Sequence, residues 1–245
     1  MEWQDEGLVL AARAHGETDA ILSALTFEHG RHLGLVKGGQ GRRARPLLQP
    51  GNRLGLTWKA RLSEHLGHYT AEPMQLFGSR LLDDPLRLAG LASATALLDQ
   101  GLAEREPHPR LYAGLLTLLE AMPADPRWRE TYVRFELLLL QELGFSLDLD
   151  ACAVTGATTG LAYVSPRTGR AVSQDAAGEL APRLLPLPPF LLADEPATAE
   201  HIAEGLRLAG HFLAKHLLGP AERALPAARE RFAALQRGPD PGTTA

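Results

Sequence analysis

The spacing of apolar residues changes once along this 245-residue chain, near residue 80. Before it, short apolar stretches alternate with turn-forming residues. After it, apolar residues recur every three or four positions. Alternation at period two puts side chains on opposite faces of a strand, whereas the longer spacing lines one face of a helix. A chain in this order is constrained to an α+β fold, with the β part first.

The stretches "GLVLAAR" (7–13), "AILSALTF" (20–27), "HLGLVK" (32–37), "NRLGLTWKARL" (52–62) and "LGHYTAE" (66–72) read as strands. Turns fall at "HGETD", "EHGR", "KGGQGRRARP" and "QPGN". Five short strands predict a small closed barrel of the OB-like kind, assigned to residues 1–78. Helices are predicted over 84–104, 109–122, 125–144, about 197–218 and 221–235. Asp84 and Asp125, each followed by proline, are the expected N-caps, and Gly144 the expected stop. The third helix is apolar nearly all round from Val133 to Leu140 and should be the central, buried one. These helices form a domain over 79–236, interrupted at 145–175 by a cysteine-poor loop and hairpin. The last residues, 237–245, are expected to be disordered.

Charge is unevenly spread. The chain is net −4, yet residues 29–63 hold eight Arg/Lys and no Asp/Glu. The strand at 53–61 alternates Leu54, Leu56, Trp58 and Ala60 with Arg53, Gly55, Thr57, Lys59 and Arg61. One face is a core face and the other is basic. Trp58 shares the core face, which favours packing over base stacking; Tyr69 and Phe27 stay open between the two. Lys37, Arg42, Arg43 and Arg45 lie on a glycine-rich, flexible-looking loop just before this strand. Arginine and exposed backbone amides suit phosphate. These seven cations are therefore the candidate nucleic-acid contacts.

Other chemistries are poorly supported. "GQGRRA" loosely resembles a nucleotide loop, but Pro46 follows and no helix opens there. The histidine pairs 29/32, 65/68 and 211/216 are badly spaced for one metal ion, and Cys152 is the only cysteine. With no G-x-S-x-G or H-E-x-x-H pattern, no enzyme, cofactor or metal is expected. The longest uncharged apolar run is too short to span a membrane, and the N-terminus lacks a basic leader region, so a cytoplasmic protein is expected.

Three stretches resemble one family, the bacterial RecO proteins. "GLVLAARAHGETDAILSALTFEHG" is similar to the family's first hairpin, and "GLVKGGQGRRARPLLQPGNRLGLTW" to its lysine-glycine loop. "YVRFELLLLQELGFSLDLDACAVTGA" is similar to its central helix and cysteine-bearing loop. The resemblance implies an OB fold, a helical domain and no enzymatic turnover. It implies binding and annealing of single- and double-stranded DNA, in association with the nucleoid. It also implies cooperation with RecR in loading RecA onto strands coated by single-strand-binding protein. The acidic tail of that protein would meet Arg134. Zinc-bearing relatives have two cysteine pairs, whereas this chain has Cys152-Ala-Val-Thr155 and then Gly169 to Ser173 where a later cysteine would fall. The hairpin should therefore fold without zinc. Two other classes remain: an adaptor gripping an acidic protein, and an enzyme holding a nucleotide in the glycine-rich loop.

Overall fold

The computed structural model describes residues 1–217 and 224–236. The start of the expected 221–235 helix and the expected disordered tail lie outside them. The chain divides into two compact units, Met1–Ala124 and Asp125–Ala245.

The first unit opens with β1 (Glu2–His15), β2 (Asp19–Thr26), β3 (Gly30–Val36), β4 (Arg53–Lys59) and β5 (His68–Gln75). β1 pairs antiparallel with both β2 and β4, β2 with β3, and β4 with β5. A single parallel bridge from Leu35 to His68 closes the ring in the order β1-β2-β3-β5-β4. The barrel is filled by Val9, Leu22, Ala24, Val36, Leu48, Leu54, Leu56, Trp58 and Tyr69. The alternation in β4 thus holds, and Trp58, at 2% exposure, is core. Its Nε1 donates to Leu66 O at 2.9 Å.

β1 starts at Glu2, five residues before the expected strand. Glu2, Asp5 and Glu6 have weak strand propensity, but the ladder from Glu2–Lys59 to Leu8–Arg53 satisfies this backbone. Leu8 faces away from Val9 by alternation and is still fully buried. The cover comes from α1 (Pro85–Gly101) of the same unit, which packs on β1 and against α2 (Pro109–Ala124). Asp84 caps α1 as expected, accepting from the N–H groups of Leu86 and Arg87.

An aromatic cluster sits in the barrel around β3. Trp3 stacks on His29 at 4.0 Å, and His32 meets Trp58 edge-on at 5.1 Å. His32 is buried in β3 with Nδ1 3.0 Å from Tyr69 Oη. Burial, then the Arg105 charge, pushes its pKa down to about 4. The unfolded chain takes up this proton near pH 6.5, so the fold loses stability as pH falls from there towards 4. The loss should reach about 3 kcal/mol. His32→Gln should flatten this part of the pH profile in urea unfolding between pH 7.5 and 4.5. An unchanged profile would contradict the assignment.

The second unit contains α3 (Trp128–Glu142), β6 (Leu161–Val164), β7 (Ala171–Ser173), α4 (Gln174–Ala177), β8 (Leu185–Pro186), α5 (Ala199–His216) and α6 (Ala227–Gln236). Asp125 does not cap α3 directly. Its carboxylate accepts from the Arg127 N–H at 2.7 Å and closes the turn ahead of the helix. At the other end Gly144 adopts φ 84, and the Phe145 N–H donates to Leu140 O, the expected left-handed stop. α3 buries Tyr132, Val133, Phe135, Leu139 and Leu140, with α5 packed against it. It also buries Glu136, which receives two hydrogen bonds from Arg229 of α6 at 2.5 and 2.8 Å.

Strands β7, β6 and β8 make a small sheet. Cys152 packs there with Val172 and Ala177. The Ser173 N–H and Oγ donate to its Sγ at 3.3 and 3.4 Å, so a serine partners the thiol from the position where a later cysteine was sought. Hydrogen bonds from Ser173, then Thr155, lower the thiol pKa to about 6.

Candidate nucleic-acid interface

The cations proposed from the sequence fall into two sets. Arg53 and Lys59 stand on β4, whose neighbour β1 carries acids in register. Arg53 ion-pairs with Glu6, and Lys59 with Glu2 at 2.9 Å. Tyr112 Oη also donates to Glu6 at 3.4 Å. The hydrogen bond from Arg53 to Glu6 holds the guanidinium pKa above its ordinary value. The basic face of β4 is therefore largely neutralised. Arg61 lies just beyond the strand and is exposed.

The loop set is different. Lys37, Arg42, Arg43 and Arg45 are all exposed. Among the described residues no carboxylate lies within ion-pair distance of the three arginines. Arg45 lines one groove with Arg42 and another with Arg13, while Lys37 lines a third with His68 and Thr70 of β5.

The glycine-rich loop is not a free arm. The Gly38 N–H donates to Asp19 Oδ1 at 2.8 Å, and the Gln40 N–H to Thr18 O at 2.9 Å. The Gln40 side chain donates to Gly16 O and Asp19 O. The Gly38 bond, with Thr18 second, holds the Asp19 carboxyl below its usual range. A Cβ on Gly39 would lie 2.7 Å from the Ala20 Cβ, so only glycine lets the loop lie against β2. Past Gly41 the chain makes helical turns, with Arg45 N–H donating to Gly41 O and Leu48 N–H to Ala44 O. Leu48 then plugs into the barrel core, and buried Asn52 donates to Pro46 O and Leu47 O. The "GETD" turn and the "KGGQ" loop are thus two sides of one hydrogen-bonded unit that presents the arginines.

Asp19 thus anchors the loop that carries Lys37 and the three arginines. Asp19→Ala removes a negative charge beside the loop, so simple electrostatics would strengthen nucleic-acid binding. Loss of the loop anchor should instead weaken it about threefold or more, by adding ordering cost. Asp19→Asn keeps an acceptor and should stay nearer the parent. Tighter oligonucleotide binding by Asp19→Ala would contradict the role.

Arg134 lies on α3 in the second unit, with its side chain 43% exposed. Its Nη2 donates to Phe190 O at 2.5 Å and its Cζ lies 5.5 Å from the Phe190 ring. Among the described residues no group of three His, Cys, Asp or Glu side chains could hold a metal, and no helix is long and apolar enough to cross a membrane.

With barrel and loop in place, comparison with known proteins gives the lineage. Residues 1–77 match the family model described as Recombination protein O N terminal, and residues 82–225 match Recombination protein O C terminal. The chain belongs to the RecO family. The DNA repair protein RecO of Rhodospirillum centenum is 53% identical over 234 residues, covering 95% of this chain and 93% of the relative. That of Cereibacter sphaeroides is 51% identical over 236 residues, covering 96% and 98%. That of Methylobacterium nodulans is 50% identical over 241 residues, also covering 96% and 98%. The junction between the two RecO models coincides with the change of apolar period near residue 80. The compact first unit runs further, to Ala124, because α1 and α2 pack with the barrel.

Sequence reasoning singled out the loop cations and missed what holds the loop. Asp19 carried a signal, since Asx side chains favour turn contacts. Nothing local linked that turn to a loop some twenty residues on.

Proposed function

We propose that this RecO-family chain acts in DNA repair and recombination as a non-enzymatic DNA-binding mediator. Lys37, Arg42, Arg43 and Arg45 grip the phosphate backbone of single- and double-stranded DNA, with Arg61 extending the contact. One observation carries the reading: three arginines with no acidic partner among the described residues stand on an ordered loop, while the neighbouring strand cations are matched by Glu2 and Glu6. An OB groove that follows the backbone electrostatically tolerates sequence. Binding should be independent of sequence, and two complementary strands held by such contacts can anneal. Titration of a fluorescent single-stranded oligonucleotide at several salt concentrations tests this. No binding at low salt would overturn it.

In this reading the protein works with RecR to help RecA onto strands coated by single-strand-binding protein, whose acidic tail meets Arg134. The guanidinium, half-exposed over the buried Phe190 ring and 3.8 Å from Glu130 Oε2, keeps a cation at the surface, which suits an acidic tail. Arg134→Ala should weaken binding of that tail peptide and leave free-DNA binding intact. Equal peptide affinity would leave Arg134 a purely structural residue.

A further inference from the structure

Between the arginine loop and the start of α1 runs a groove of about 720 Å³, within the first unit. Its lining brings together the cations Arg42 and Arg45 and the apolar side chains Leu76, Leu82, Leu88 and Leu91. Leu82 is 67% exposed and Leu76 beside it in the lining 36%. Exposed apolar surface beside charge marks sites where another molecule docks. The volume falls within the range of binding clefts.

The chemistry of the walls selects the occupant. Unstacked bases are held on aromatic rings, and no aromatic ring lines this groove. The apolar lining is aliphatic, and among the described residues neither arginine has a carboxylate within ion-pair distance. Charge complementarity calls for carboxylates, and the aliphatic wall for branched apolar side chains. We infer that this groove receives an acidic, leucine-bearing segment of a partner protein. Its carboxylates pair with Arg42 and Arg45, and its leucines lie on Leu82 and Leu88. Two of the arginines proposed to grip DNA are then occupied, so segment and DNA exclude one another. Only that exclusion rests on the proposed function. The groove also differs from the Arg134 site, which belongs to the other unit.

The probe is a blocked, fluorescein-labelled heptapeptide alternating aspartate and leucine, titrated into the full chain. It should bind the parent and the Arg134→Ala variant alike. Leu82→Ser, and separately the Arg42→Ala/Arg45→Ala pair, should weaken it about tenfold or more. Leu82→Ser should retain its circular dichroism and its affinity for an oligonucleotide, and excess oligonucleotide should displace the peptide from the parent. The inference is overturned if the peptide fails to bind, or binds parent and Leu82→Ser equally. It is also overturned if Leu82→Ser weakens a normal oligonucleotide but not an abasic one, since the groove would then take bases. If the peptide binds as described while oligonucleotide does not bind the parent, the groove assignment stands and the DNA reading falls.

Discussion

Arg229→Ala should destabilise the second unit by about 3–5 kcal/mol, because it strands a buried carboxylate. Glu136 is fully buried and Arg229 is 2% exposed. The guanidinium meets both carboxylate oxygens, and its Nη2 also donates to Leu206 O at 2.6 Å. Tyr132 Oη completes the set, donating to Glu136 at 2.8 Å. Charge and hydrogen bonds are thus matched in a buried site, and removing either partner leaves the other uncompensated. Replacing both with apolar side chains of similar size, Glu136→Leu with Arg229→Met, should recover most of the loss, since the desolvation penalty disappears too. Urea unfolding at neutral pH reads both. A loss below about 1 kcal/mol for Arg229→Ala, with no recovery in the pair, would show that the ion pair does not hold α6 to α3.

That pair also shows where reading the residues stops. The stretch Val133 to Leu140 announced a buried helix correctly, because periodicity is a local property. A glutamate inside it was invisible as a core residue, since its partner lies 93 positions away. The same limit operated in the barrel. Alternation in β4 correctly sent Leu54, Leu56 and Trp58 inward and Arg53 and Lys59 outward. It could not show that β1 would bring Glu2 opposite Lys59, because register between strands is set by pairing rather than by either strand alone. The acidic start of β1 was passed over for the same reason. The loop of Lys37 to Pro46 looked flexible because three glycines carry no side chain to anchor it. Its anchors are backbone N–H groups received by Asp19 and Thr18 of a turn read separately. Cys152 was singled out as a lone thiol, and its hydrogen bonds from Ser173 came only with the folded hairpin.

The larger functional effect is expected at the loop. Each phosphate contact on a single strand contributes about 0.7 to the log–log slope of affinity against salt. Arg42→Ala/Arg43→Ala/Arg45→Ala removes three cations with no acidic partner among the described residues, so the slope should fall by about 2 and low-salt affinity with it. The side chains are exposed, so far-UV circular dichroism should be unchanged. On the sequence alone, Arg53→Ala/Lys59→Ala/Arg61→Ala would be expected to do as much. With Arg53 held by Glu6 and Lys59 by Glu2, its slope change should be nearer that of one contact, about 0.7. Alanines at Leu54, Leu56 and Trp58 should instead unfold the barrel, whose core they fill.

The most direct measurement is therefore a salt titration of single-stranded oligonucleotide binding, run side by side on the parent and the loop triple variant. The account predicts tight, sequence-independent binding by the parent at low salt and a slope lower by about 2 in the variant. Unaltered affinity and slope in the loop variant would contradict it, leaving the arginines to a protein partner and the chain to an adaptor role.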